Sequence, residues 1–394
     1  MRKKRQRNIY VLFLGIYFIS LVLGAMSIAG LGSVLRYIGL IPVILGMAIS
    51  VKKRQFFISS QVGLVCLFVI WVIISYCWSI NSSTSGNEIF SYFAFIMLLL
   101  SVATNKFSPD DQIFLRRCLV WSSRITIIVM ILFAQYQEGR MLLSGVINED
   151  PNYLCGYFLF AAVEDIEYLF SSEEIKVFHK IVHALEFILI IYLIIATGSR
   201  GGMLCVLVSV FSMLIHQQYK KGLSIKRIGG LLLAGVFITV AYTVVVKYSS
   251  QDMLLRFSGN AIAESNGTGR YTIWADTIQA FSDSNILRKL FGYGTGTCRD
   301  VAQLFSFRIV NVTHNTYLQY LIEVGIIGLA LFLIYMFCLF VSNHRKESFW
   351  PSAILIGICV LMCSTSLTTY KPYWNIVLYI VCCSGVRKTE VEEI

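Results

Sequence analysis

The stretch Ile326-Ile327-Gly328-Leu329-Ala330-Leu331-Phe332-Leu333-Ile334-Tyr335-Met336-Phe337-Cys338-Leu339-Phe340-Val341 runs for sixteen positions without a charge. It is the greater part of an apolar run over 313–342 that holds a single carboxylate, Glu323. A helix needs about 20 largely apolar residues to cross a bilayer, so this run reads as a membrane span. Working outward, comparable runs are drawn at 9–30, 31–50, 56–80, 88–104, 112–134, 152–170, 181–197, 201–216, 228–249, 349–369 and 372–386. With 313–342 they predict about twelve transmembrane helices in one all-α integral membrane domain, 1–394.

Composition supports this reading. Of 394 residues, 57% are apolar and 14% are charged. A soluble domain has about 25% charged residues. A soluble enzyme, a disordered chain and a fibrous repeat are excluded. The net charge of +11 does not point to nucleic acid, because the basic residues sit in short clusters between apolar runs. Placing the N-terminus in the cytoplasm puts 21 of the 33 basic residues in alternate, cytoplasmic loops, as the positive-inside rule requires. Met1 to Arg7 is basic, and the apolar run behind it is too long for a cleaved signal, so it reads as a retained signal anchor. The Asn81–Asn87 segment reads as an outer turn. The eleven cysteines lie mostly in apolar segments and imply no disulfide framework. Two outer loops stand out, about 135–151 and a large one at 250–312.

Four groups of residues could carry chemistry. In Thr197-Gly198-Ser199-Arg200-Gly201-Gly202, a helix start meets an arginine. This is either an anion site or a tight turn whose Arg reaches the headgroups. In the large loop, Arg270, Tyr271, Trp274, Ile278 and Phe281 fall at helical spacing. They predict an amphipathic helix lying on the membrane, with Arg270 at its start. The glycine-rich 292–296 segment follows no strand, so it is not a dinucleotide site. In the third group, Asn315, Gln319 and Glu323 share one helix face, and His314 stands before it at the membrane boundary. In the fourth, Arg124 falls near the middle of a span, where a charge calls for a partner or an anionic ligand. Asp150-Pro151-Asn152 opens another span as a capped turn. No Asp-x-Asp pair, P-loop or His-rich metal spacing is present, and no metal or cofactor is expected.

These residues resemble the O-antigen ligase/polymerase superfamily of polytopic bacterial membrane glycosyltransferases. The resemblance rests on Ser199-Arg200-Gly201-Gly202, Arg270 and Trp274, His314-Asn315-x-Tyr317-Leu318, Glu323-x-Gly325-x-x-Gly328 and the Asp150-Pro151-Asn152 turn. It covers a core of about 148–342. It implies a GT-C-type fold with one large extracytoplasmic loop. It also implies a metal-independent enzyme of the cytoplasmic membrane whose site faces the periplasm or cell exterior. The donor it implies is an oligosaccharide on undecaprenyl pyrophosphate. Arg200 and Arg270 would bind the pyrophosphate and His314 would act on the acceptor hydroxyl. Ser199, Asn152, Arg124, Asn315, Tyr317, Glu323 and Trp274 would line the substrate site.

The chemistry of the residue types agrees. Guanidinium forks bind phosphates and stay charged, and histidine titrates near working pH. A direct displacement would invert the anomeric carbon. Within the superfamily the expected role is polymerisation of repeat units for a surface polysaccharide, since polymerases occur with and without an outer membrane. A chain-length regulator is a further partner. The alternatives are an O-antigen ligase, a protein O-oligosaccharyltransferase, and a lipid-linked glycan flippase, which should show broken helices in matching halves.

Overall fold

The computed structural model describes residues 8–28, 32–53, 58–137, 140–144, 149–171, 175–221, 269–305, 312–344 and 348–384. The expected span 228–249, much of the large loop and the basic N-terminal segment Met1–Arg7 lie outside these residues. The described chain is almost entirely helical. Two antiparallel ribbons are its only strands: β1 (Ser27–Ile28) pairs with β2 (Gly32–Ser33), and β3 (Gln135–Gln137) pairs with β4 (Arg140–Leu142).

The helices are α1 (Ile9–Ile19), α2 (Val34–Lys53), α3 (Ser60–Ile74), α4 (Ser82–Ala103), α5 (Pro109–Phe133), α6 (Pro151–Leu169), α7 (Val177–Ala196) and α8 (Arg200–Lys221). After the large loop's undescribed part come α9 (Arg270–Asp283), α10 (Ile286–Phe291), α11 (Cys298–Leu304), α12 (Thr316–His344), α13 (Trp350–Met362) and α14 (Lys371–Ser384).

Among the described residues, six helices are long and apolar enough to cross a membrane: Val34–Lys53, Ser60–Trp78, Ser82–Ala103, Val177–Ala196, Arg200–Gln217 and Thr316–Asn343. Their outward faces carry large apolar side chains in the open, such as Ile44, Phe211 and Phe337. Large apolar side chains exposed along helices of this length belong in lipid, and the protein is a multi-pass membrane protein. The expected count of twelve is larger for identifiable reasons. α5 is long but carries Arg116, Arg117 and Arg124, and α6 carries Glu164, Asp165 and Glu167. α1, α13 and α14 have 11, 13 and 14 residues. The first expected span breaks after Ile19 into a 3₁₀ turn and the β1–β2 ribbon, not a helix to residue 30. The Asn81–Asn87 segment is also not a loop. Asn81 caps α4 by accepting from the Ser83 and Thr84 amides, so the polar run begins the helix.

The chain divides into two compact units. The first comprises Met1–Leu119, Ile273–Lys346 and Ser366–Ile394, and the second Val120–Thr272 and Glu347–Thr365. The expected core at 148–342 draws on both.

In the first unit, α3 packs on α12 through aromatic rings. Phe68 meets Tyr320 edge-on at 5.2 Å and Phe332 at 5.5 Å. α12 breaks at Gly325, whose φ of 71° and ψ of −176° leave the helical region. The break exposes carbonyls, and the neighbouring chain satisfies them. Tyr293 N–H donates to the Ile322 carbonyl (3.1 Å) and Gly294 N–H to that of Glu323 (2.8 Å). The Trp71 indole donates to the carbonyl of Val324 at 3.0 Å. A Cβ at Gly325 would meet the Leu290 carbonyl, so only glycine fits both the dihedral angles and the space.

In the second unit, α6 is central. Every residue from Leu154 to Ile166 is buried, the pattern of a helix with neighbours on all sides. α8 closes on it: a Cβ at Gly202 would overlap the Cys155 side chain, and one at Gly201 would overlap Ser364. The glycine pair after Arg200 therefore serves close helix packing. α13 packs in the same unit, its Trp350 indole donating to the Phe160 carbonyl at 3.3 Å.

Candidate functional site

The expected residues fall into two groups, one in each unit. In the second unit, two helix starts carry the arginines. α7 ends at Thr197, and Gly198 turns the chain with a φ of 65°. The Ser199 hydroxyl then accepts from the Gly202 amide at 3.0 Å, and α8 opens on Arg200. α6 starts in the same way. Asp150 caps it, accepting from the Asn152 amide at 2.7 Å, with Pro151 in the first turn. The Asn152 side chain also donates to Asp150 at 2.7 Å.

Arg270, at the start of α9, is half-buried, as are Arg200 and Arg140. Burial lowers the pKa of Arg270 below that of a free guanidinium. The Asp150 carboxylate opposes this, and the charges of Arg140 and Arg200 add to it. Two further arginines and one aspartate are thus close enough to Arg270 for their charges to act on it. Arg140 has no place among the sequence expectations. Its Nε donates to the Thr197 carbonyl (2.8 Å), and an Nη stands 3.5 Å from the Asn152 amide oxygen. The one sign of it in sequence is its place in the shorter outer loop.

In the first unit, His314 is the only non-glycine residue with a positive φ (52°) among the described residues. Such a conformation costs on the order of 1–3 kcal/mol and is kept where its surroundings hold it. Here the surroundings are hydrogen bonds. The Trp274 indole donates to the carbonyl of Thr313 (3.0 Å), and the Thr313 hydroxyl donates to the carbonyl of Asn315 (2.7 Å). The Asn315 side chain accepts from the amides of Tyr317 (3.0 Å) and Leu318 (3.1 Å), capping α12. The expected helix over Arg270, Trp274, Ile278 and Phe281 is present as α9, and Trp274 uses it to reach the peptide before His314.

Glu323 is almost fully buried. Its carboxylate accepts from the Gln319 amide (3.0 Å) and the Cys298 backbone N–H (3.3 Å). It ties the glycine-rich 292–298 segment to α12. Gly292, Gly294 and Gly296 all have positive φ there. Burial, with Glu323 next, raises the pKa of the Cys298 thiol, which keeps it protonated and not nucleophilic. Tyr317 turns its ring edge-on to Phe332 at 6.0 Å.

Arg124 belongs to neither group. Its fork is taken by Glu186, with Nε and Nη2 at 2.8 and 2.9 Å from the two carboxylate oxygens. Glu186 is thus the partner that a charge in a span calls for. Beside the pair, His183 Nδ1 lies 2.7 Å from Asp165. Asp165, His183 and Glu186 are close enough to hold a cation. Asp165 lies about 22 Å along α6 from Asp150, at 1.5 Å per residue, so this cluster is remote from the arginines.

Fold and residues together define a helical, multi-pass membrane protein with arginines at helix starts and a strained histidine at the head of a broken helix. Residues 185–333 match the family model described as O-antigen ligase. The match covers less than half of the chain; it supports the resemblance to the O-antigen ligase/polymerase superfamily and a role of that type in polysaccharide biosynthesis. No curated protein matches the chain.

Proposed function

We propose that the protein polymerises oligosaccharide repeat units carried on undecaprenyl pyrophosphate, at the outer face of the cytoplasmic membrane. The observation that carries this reading is the set of half-buried arginines around the starts of α6 and α8, with Arg270 beside them. Helix starts and guanidinium forks both favour phosphate oxygens.

The acceptor hydroxyl gives its proton to His314, and its oxygen bonds to the anomeric carbon of the donor. The bond from that carbon to the pyrophosphate oxygen breaks, with inversion, and the lipid pyrophosphate leaves with an added negative charge. Arg200 and Arg270 stabilise that charge, the role a divalent metal plays in other glycosyl transfers. The sequence supports a metal-independent reaction, since it has no paired-carboxylate motif to hold a metal on a diphosphate. The flippase alternative gains nothing from the break in α12: no second break is seen among the described residues, and the freed carbonyls are taken by the chain itself.

The test uses purified full-length protein with a lipid-linked repeat unit as both donor and acceptor. A ladder of lengthening glycan on lipid, unchanged in excess chelator, is the expected result. Transfer of single units to another acceptor, without elongation, would overturn polymerisation. Activity lost in chelator and restored by Mg²⁺ or Mn²⁺ would overturn the role given to the arginines.

A further inference from the structure

We propose that Arg140 is a third cation of the donor site and makes it selective for a diphosphate over a single phosphate. This rests on the reading of Arg200 and Arg270 as the pyrophosphate residues, and extends it to a residue that the superfamily motifs leave out.

The placement of Arg140 carries the argument. It is the first residue of β4, opposite Gln137 in the ribbon. Its Nε bond to Thr197 fixes the guanidinium against the turn that leads into Arg200, and its Nη faces Asn152 in the first turn of α6. Asn152 is itself held twice by Asp150. Arg140 therefore spans the two helix starts that a phosphate would approach. A ribbon that served only to cross between α5 and α6 would not require a cation there.

Charge supplies the second part. Arg140, Arg200 and Asp150 all act on Arg270. Each guanidinium adds positive charge in a half-buried position, where it acts on an anion more strongly than in water. A lipid diphosphate joined to a sugar carries one negative charge on each phosphate, two in all. A lipid monophosphate joined to a sugar carries one. A cation beside the two phosphates is attracted by both charges of the diphosphate but by only one of the monophosphate. Removing Arg140 therefore takes more from diphosphate binding than from monophosphate binding.

The test is binding to purified full-length protein in nanodiscs, with a short polyprenyl diphosphate, the corresponding monophosphate and inorganic pyrophosphate as probes. Wild type should prefer the lipid diphosphate to the monophosphate, and inorganic pyrophosphate should displace it. Arg140→Gln should weaken diphosphate binding by about tenfold or more, the scale of one charge-assisted contact. Monophosphate binding should change little, so the preference collapses. Arg140→Lys should restore part of it.

Equal weakening of both lipid probes would make Arg140 a structural pin of the Thr197 turn and overturn the proposal, as would an unchanged preference. So would failure of inorganic pyrophosphate to compete, because a site that reads charge binds the bare group too. Melting temperatures matched to wild type exclude misfolding, with Arg140→Lys as the second variant if Arg140→Gln is unstable. In each of these failures, Arg200→Gln and Arg270→Gln would still lose diphosphate binding. If those two variants also bind normally, the donor-site reading itself falls.

Discussion

The arginine region and the histidine region use opposite means. Around the starts of α6 and α8, the charged side chains stay half-open, and capping bonds to Asp150 and Ser199 hold the helix starts beneath them. Around His314 the polar side chains bond mostly within the chain. Gln319 and Glu323 are buried and bonded to the chain, Asn315 caps a helix, and Trp274 holds a peptide carbonyl. The difference follows from the chemistry proposed for each. An anion is bound by charge, which acts over several ångströms and tolerates some movement. A proton is taken by one nitrogen within hydrogen-bond reach, so the backbone that carries it must be fixed.

Removing the imidazole should have the largest effect and is the sharpest way to break this comparison. His314→Ala should cut polymer formation about 10²–10⁴-fold, the range of a general base, with single repeat units accumulating on lipid. His314→Gln should fail as well. If His314→Gln makes near-normal polymer at matched expression, the imidazole is only a hydrogen-bonding group and the two regions do not divide the chemistry.

Next come the cations. Arg200→Lys and Arg270→Lys keep the charge but lose the fork, and each should slow transfer about 10²–10³-fold. Wild-type glycan length in both variants would leave the arginine region without its role.

Gly325→Ala probes the rigidity of the histidine region at a distance. A left-handed angle on a non-glycine residue costs about 1–3 kcal/mol, and the added Cβ also meets the Leu290 carbonyl. The variant should melt at a lower temperature in detergent. An unchanged melt would mean that the α12 break is not needed to seat the 292–298 segment.

The smallest effect is expected from Trp274→Phe, which keeps the ring and removes one hydrogen bond, about 0.5–1.5 kcal/mol. Because that bond positions the peptide before His314, the rate at saturating substrate should fall roughly tenfold or less while KM stays close to wild type. A change in KM alone would place Trp274 on the substrate.

The signals legible in sequence were local ones. The apolar runs disclosed a membrane protein, since a bilayer demands length and apolarity from each helix separately. Asp150-Pro151 and Ser199-Arg200 were readable as helix starts because a cap acts within three residues. The helical spacing of Arg270, Trp274 and Ile278 foretold α9. The ends of spans were less legible, because apolar content alone does not say where a helix stops: α1 ends at Ile19 within a run that stays apolar to residue 30.

What the tertiary structure alone decided are contacts between residues far apart in the chain. Arg140 meets the Thr197 carbonyl across 57 positions, Arg124 meets Glu186 across 62, and Trp274 meets Thr313 across 39. No periodicity or cap encodes such pairs. They form because folding buries polar groups that must then find a partner within reach. The same requirement makes Glu323 the acceptor for the Cys298 amide, and makes Arg140, an unremarked loop arginine in the sequence, a neighbour of both helix starts.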